Sequence, residues 1–448
     1  MDDLIKDDSE QQDKLQERRE FRRRRRIRNQ ILAYIVLIIV VAAAFAGAVF
    51  GVRQFNKEKQ DAQDEIQQSQ EKIEDILGEE EKIEPTPEPT PEVVEPTPEE
   101  QLELMIDDLI AGMPLEDKVA NLFIITPEAL TGVSTATMAG EGTQTALEKY
   151  AVGGLIYFQK NIVSKEQITE MLSNTATYAR YPLFLAVDEE GGKVARVASA
   201  GIYEGVASAG EIGATGDANN AYQAGVTIGA ALSELGFNVD FAPVADITNV
   251  EGSVMEGRSY GADVNMVSGF VTAMMMGLEE NNVTACLKHF PGLGCTTDDT
   301  HNGMAFTERT EEQFKAEELT VFGAGIESGA NMIMVGHMSA PNLTGNNEPC
   351  IFSEKLITDI LRGELNYKGV IITDALNMGA ISTYYGADEA AIMALKAGCD
   401  MLLMPENFEL AYGGVMQAVL DGTIAEERID DSLRRIYRVK YGDKLKGE

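Results

Sequence analysis

Eight short apolar runs, separated by longer stretches with helical spacing, constrain this chain more tightly than any other feature. They fall at 119–125, 154–158, 183–187, 237–241, 284–287, 332–335, 370–373 and 401–403. Runs this short and mostly apolar suit strands covered on both faces, as in a parallel sheet whose crossovers are helices. The intervening helices carry start and stop signals. The stretch 221–235 is amphipathic and ends at Gly236, Thr310 and Gln313 form a capping-box pattern before 314–326, and 389–397 ends at Gly398. Eight such units across about 340 residues predict an α/β fold, a (β/α)8 barrel of the TIM type with insertions. A doubly wound open sheet is the structural alternative. It is weakened because neither GxGxxG nor GxxxxGK[ST] follows the first run.

A long N-terminal region precedes the barrel. Residues 1–30 form a basic tail with ten Lys/Arg and eight Asp/Glu, and beyond it 27 basic residues face 65 acidic ones. Such a surplus of negative charge argues against nucleic acid as a partner. Arg18, Arg19, the run 22–26 and Arg28 stand directly before 31–52, a stretch with no charged residue. Crossing a bilayer as a helix takes roughly 20 apolar residues, so 31–52 is expected to be a single transmembrane helix. Arginines on its N-terminal flank keep that end cytoplasmic and place the chain beyond residue 52 outside the cell. A cleaved signal peptide, with Ala44-Phe45-Ala46 as the small-x-small site, is the alternative, but the run exceeds the roughly 7–15 apolar residues of a signal core. Residues 53–82 are rich in Gln, Glu, Asp and Lys, with Ile66, Ile73 and Ile76 at helical spacing, and predict a solvated helical stalk. The prolines from Pro85 to Pro98 predict an extended linker. The expected organisation is therefore a tail at 1–30, an anchor at 31–52, a stalk and linker at 53–100 and the barrel at 101–448. Cys286, Cys295, Cys350 and Cys399 include no CxxC pair, which excludes a zinc ribbon and leaves buried thiols as the expectation.

Active sites of (β/α)8 barrels gather at the C-terminal ends of the strands, and polar residues stand at those ends here. Asp188, Glu189 and Glu190 follow the third run, Asp240 lies near the end of the fourth and Asp246 just beyond it, Lys288 and His289 end the fifth, His337 the sixth and Asp374 the seventh. The chain has only three histidines. Two of them, His289 and His301, lie within Lys288-His289-Phe290-Pro291-Gly292-Leu293-Gly294-Cys295-Thr296-Thr297-Asp298-Asp299-Thr300-His301. Asp299, two residues before His301, can hold one ring nitrogen while the other faces a substrate. Asp374 leaves a buried strand, and a carboxylate paired with a separate proton donor is an arrangement that cleaves glycosidic bonds. No GxSxG supports a serine nucleophile. No HxH or HExxH supports a metal, and Lys288 beside His289 would put positive charge next to any cation, so neither metal nor cofactor is expected.

The Lys-His-Phe-Pro-Gly run at 288–292, with Asp299-Thr300-His301 at the matching distance, resembles the defining motif of the β-N-acetylglucosaminidase branch of glycoside hydrolase family 3. Further similar segments are Val187-Asp188-Glu189-Glu190-Gly191-Gly192-Lys193-Val194-Ala195-Arg196, Phe241-Ala242-Pro243-Val244-Ala245-Asp246, Gly257-Arg258-Ser259-Tyr260-Gly261 and Thr373-Asp374-Ala375-Leu376. They run in family order across about 102–441 and leave the anchor, stalk and linker outside the resemblance. The resemblance implies a single barrel domain, retention of anomeric configuration and a covalent glycosyl-enzyme intermediate. It matches Asp374 to the nucleophile, His301 to a histidine acid/base and Asp299 to its orienting partner. It matches Asp188, Arg196, Arg258, Lys288 and His289 to the residues that hold the non-reducing N-acetylglucosamine. Gly292 and Gly294 are expected to free the backbone so that the loop can carry His301 toward the bond being broken.

Three positions depart from the family pattern: Leu293 replaces the usual histidine, Cys295 the usual aspartate and Ala375 a common second aspartate. They bear on how the loop closes and on what lies beyond the first sugar. The reading is an extracellular, membrane-tethered exo-hydrolase that removes β-linked N-acetylglucosamine from peptidoglycan fragments or related glycans, with a glycan and a membrane as its partners. The alternatives are a β-glucosidase of the same family and a muropeptide receptor without chemistry. Transfer to phosphate is a further option, because a histidine acid/base does not repel an anionic acceptor as a carboxylate would.

Overall fold

The computed structural model describes residues 96–442. The tail, the anchor and residues 53–95 of the stalk and linker lie outside the described residues. Among those described, no helix is long and apolar enough to cross a membrane.

Eight strands form the core: β1 (Phe123–Ile125), β2 (Gly154–Ile156), β3 (Phe184–Val187), β4 (Val239–Asp240), β5 (Thr284–Phe290), β6 (Met332–Val335), β7 (Val370–Thr373) and β8 (Leu402–Leu403). All pair in parallel in the order β8-β1-β2-β3-β4-β5-β6-β7. A parallel bridge between Ile372 and Met401 returns β7 to β8, so the ring is nearly closed. This is the TIM-type barrel that the eight apolar runs predict. The strand residues are almost all buried, because the ring packs one face inward and helices cover the other. Register aligns the strand ends: Val187 lies opposite Asp240, Asp240 opposite Ala285 and Val335 opposite Thr373. Asp188 and Asp374, just past their strands, and Lys288, in the part of β5 that extends beyond Ala285, therefore emerge at one mouth of the barrel.

Three boundaries differ from expectation, each for a local reason. The linker ends before Pro98, which becomes the first residue of helix α1 (Pro98–Ala111). Thr97 caps it, with Glu100 returning the hydrogen bond at 2.8 Å, and a proline at the first helical position gives up no intrahelical bond. The run 119–125 is divided, since helix α2 (Leu115–Ala120) takes Val119 and β1 starts at Phe123. The helix expected over 314–326 breaks at Glu317 (φ −124°, ψ −86°) into α3 (Glu311–Ala316) and α4 (Glu318–Glu327). At the break Arg309 meets both Glu317, at 2.6 Å, and Glu318, at 3.3 Å. All four cysteines are buried and free.

The mouth opposite the Asp374 end is closed by charge. Asp400, fully buried before β8, accepts hydrogen bonds from Ser432 at 2.8 Å, from Arg435 at 2.9 Å and from the Ile371 N–H at 2.9 Å. Arg362 also pairs with it. Removing one partner of such a buried cluster leaves uncompensated charge, so Asp400→Ala is expected to cost about 3–5 kcal/mol. Chemical denaturation read by circular dichroism tests this. A cost below about 1 kcal/mol would mean that the cluster is not a keystone of the barrel.

Candidate active site

At the mouth where Asp188, Lys288 and Asp374 emerge, the loops enclose a cavity of about 340 Å³. Its charged floor is set by two strands. Asp188 and Glu190 stand two residues apart in extended chain and so share a face, which brings both to the Lys288 ammonium, each at 2.7 Å. Glu190 also receives Arg258 in a two-pronged contact, Nε at 2.9 Å and Nη2 at 2.6 Å. Burial would raise the Glu190 pKa, but Lys288 and Arg258 outweigh it and hold the carboxyl down at about 2. Burial likewise disfavours the Lys288 charge, and Asp188 and Glu190 reverse that, so its pKa lies above the ordinary value.

Arg196 lines the same cavity without a carboxylate partner among the described residues. Its Nε is buried and unpaired, and its guanidinium lies 5.9 Å from the centre of the Phe158 ring. An unsatisfied buried donor of this kind calls for an acceptor on a ligand. His289 is held from behind by Asp246, whose Oδ2 lies 2.7 Å from Nδ1, which leaves Nε2 as the ring's other hydrogen-bonding atom.

Asp374 follows β7, and its Oδ1 accepts the Ala375 N–H at 2.7 Å. Burial would raise its pKa, yet His337, His289, the Ala375 N–H and Lys288 together lower it, so the carboxylate is ionised at neutral pH. His337 donates from Nε2 to the Ala375 carbonyl at 2.8 Å, while its Nδ1 has no partner. Burial keeps the His337 pKa below the usual imidazole value despite the opposing pull of Asp374. His301 and Asp299 come to the cavity on the loop after β5. Asp299 Oδ1 accepts both the His301 N–H at 2.9 Å and Nδ1 at 2.7 Å, leaving Nε2 for a substrate. Burial would raise the Asp299 pKa, but these bonds together with the charges of His301 and Arg258 outweigh it and lower it, which favours the carboxylate.

All eight residues singled out in the sequence, Asp188, Arg196, Arg258, Lys288, His289, Asp299, His301 and Asp374, line this one cavity. The loop glycines behave differently from expectation. A Cβ at Gly292 would meet the Glu318 side chain at 2.3 Å, and one at Gly294 would meet the Ile247 carbonyl at 2.1 Å. These glycines permit close packing at the root of the loop, where Gly292 also takes a positive φ of 134°, and Leu293 and Cys295 beside them are buried. Glu190, Asp246 and His337 were visible in the sequence as polar strand ends, the first two also inside family-like segments, but none was given a role. The two-residue spacing of Asp188 and Glu190 could have promoted Glu190. Nothing in the sequence flags the apolar wall of Met255, Met334, Met378 and Met404.

An ionised carboxylate, a His–Asp pair and a cluster of charged hydrogen-bonding groups around a cavity of sugar size define the site of a barrel glycosidase. Residues 114–439 match the glycosyl hydrolase family 3 N terminal domain, and the chain belongs to that family. It is 32% identical over 326 residues to a protein named beta-hexosaminidase A from Pseudoalteromonas piscicida, covering 66% of this chain and 54% of that relative. It is 30% identical over 315 residues to a beta-hexosaminidase of Stenotrophomonas maltophilia (strain K279a), covering 65% of this chain and 92% of the relative. Among solved structures it is similar to a glycoside hydrolase family 3 beta-N-acetylglucosaminidase from Paenibacillus sp. str. FPU-7, with a TM-score of 0.69, 33% identity and coverage of 75% of this chain and 64% of that one. The chain thus spans between about half and nine-tenths of these relatives.

Because the folded Glu190 pKa of about 2 lies below its ordinary 4.5, its stabilisation is present above pH 4.5 and is lost as pH falls through 2. Glu190→Gln is therefore expected to destabilise by on the order of 3 kcal/mol at neutral pH, the deficit shrinking steadily below pH 4.5. Unfolding curves across that window provide the check. A deficit that stays constant would mean that Lys288 and Arg258 do not hold Glu190 ionised.

Proposed function

We propose that this chain is a retaining exo-β-N-acetylglucosaminidase that removes terminal β-linked N-acetylglucosamine. The observation that carries the reading is that the ionised Asp374 carboxylate and the Asp299-held His301 line one cavity with Asp188, Arg196, Arg258, Lys288 and His289. The family and the names of its relatives support the same sugar. In the first step Asp374 attacks the anomeric carbon, the bonding pair of the glycosidic bond passes to the leaving oxygen, and His301 protonates that oxygen from Nε2. In the second step water attacks the glycosyl–Asp374 ester, its proton passes to His301, and the carboxylate is released. Asp188 accepts hydrogen bonds from sugar hydroxyls, while Arg196, Arg258, Lys288 and His289 donate them. The methionine wall meets the C–H face of the ring.

The N-terminal region supports a location and a substrate source. The charge-free stretch 31–52 after its arginine flank is read as an uncleaved anchor, with the stalk and linker carrying the barrel outside the membrane. A hydrolase held there would meet peptidoglycan fragments and related glycans.

Paired turnover assays of the full-length chain on aryl β-N-acetylglucosaminide and aryl β-glucoside test the sugar. The N-acetyl substrate is expected to give the higher kcat/KM, and the reverse order would favour a β-glucosidase. Asp374→Ala is expected to abolish turnover, and normal turnover by that variant would refute the mechanism. His301→Ala is expected to lower kcat/KM by roughly 10²–10⁴ for leaving groups that need protonation.

A further inference from the structure

The segment from Thr297 to Gly303 carries both Asp299 and His301, and most of it is exposed. The two hydrogen bonds from His301 to Asp299 fix the imidazole relative to its own loop. They do not fix the loop relative to Asp374. Apart from a turn with Thr296, one hydrogen bond among the described residues joins this segment to the rest of the barrel. It runs from the Ala380 N–H to the Thr300 carbonyl at 3.1 Å. Beside it Gly379 lies against the next peptide: a Cβ there would stand 2.7 Å from the His301 carbonyl oxygen and 3.4 Å from the Asn302 carbonyl carbon. Backbone oxygen cannot yield as the end of a flexible side chain can, so a side chain at 379 would push the loop away.

Gly379 and Ala380 open the short helix α5 (Gly379–Ser382), five residues beyond Asp374. The turn between them is tied at several points. The Ala375 N–H holds Asp374 Oδ1 at 2.7 Å, the Met378 N–H donates to the Ala375 carbonyl at 3.1 Å, and that carbonyl also receives His337 Nε2 at 2.8 Å. The Asn377 N–H donates to the Met404 carbonyl at 3.0 Å. One braced turn therefore fixes the nucleophile at its start and meets the acid/base loop at its end.

We propose that Gly379 and the Ala380 N–H are positioning residues for the acid/base: a dock on the nucleophile's own turn that sets where His301 delivers its proton. This rests on the role proposed above for His301. Neither residue touches the substrate. Their effect is on the placement of the loop, so it appears only where protonation of the leaving group limits the rate.

The experiment compares Gly379→Val and Ala380→Pro with His301→Ala in the full-length chain. Gly379→Val adds bulk under the His301 carbonyl. Ala380→Pro removes the single donor to Thr300 at the second helical position, where no intrahelical bond is lost. The readout is kcat/KM on phenyl β-N-acetylglucosaminide, whose leaving group needs a proton, and on the 2,4-dinitrophenyl substrate, whose leaving group does not. Each docking variant is expected to lose roughly tenfold or more on the phenyl substrate and less than roughly threefold on the dinitrophenyl one, with Gly379→Ala intermediate. Retained dinitrophenyl turnover also reports that the fold and Asp374 are intact. Equal losses on both substrates, or no loss on either, in both variants would overturn the dock while leaving the His301 reading in place. If His301→Ala itself failed to discriminate the two substrates, the acid/base assignment would fall, and the dock with it.

Discussion

The site depends on one buried ionic contact, in which Lys288 lies between Asp188 and Glu190 and Arg258 closes on Glu190 from the other side. Two carboxylates and two cations nearly balance, which allows four formal charges to sit in a space mostly removed from water. Lys288 reaches Asp188 through Oδ1, and among the described residues Oδ2 has no hydrogen-bond partner and can accept from a ligand. Lys288 also contributes to holding Asp374 ionised, so the residues proposed to bind the sugar and the proposed nucleophile share one electrostatic environment. Removing Lys288 would disturb binding and chemistry together.

Around that contact the site is built in pairs, a working group and a group that orients it. Asp246 holds His289, Asp299 holds His301, and the Ala375 peptide holds both Asp374 and His337. His289 and its partner Asp246 are buried, as is Asp374 itself, whereas His301 and Asp299 are exposed. The site thus combines interior groups with a proposed proton donor, His301, on a loop with few attachments. Such a division suits a reaction in which the donor must also act later as the base toward water.

Much of this was legible in the sequence because burial on both faces leaves a strong mark. Runs such as 332–335 and 370–373 could be assigned as strands from composition alone, and the strand ends then named the mouth of the barrel. Six of the eight site residues stood out from strand ends and spacing, Arg196 and Arg258 came from motif resemblance, and the geometry brings all of them to one cavity. What the sequence hid depended on side-chain contacts rather than on local propensity. The helix break at Glu317 reflects the pull of Arg309 and its packing, which no local propensity carries. Gly292 and Gly294 read as a hinge because a sequence shows that a Cβ is missing but not whether the vacated space is empty or filled, and here Glu318 and Ile247 fill it.

The two mouths of the barrel carry different burdens. The Asp400 cluster clamps Arg362, Arg435 and Ser432 at the end remote from the chemistry, together with the β7 backbone. The three departures from the family pattern, Leu293, Cys295 and Ala375, all fall at the opposite end. With the rivet at one end and the chemistry at the other, lineages can retailor the glycan-facing rim without loosening the staves that hold the cask together.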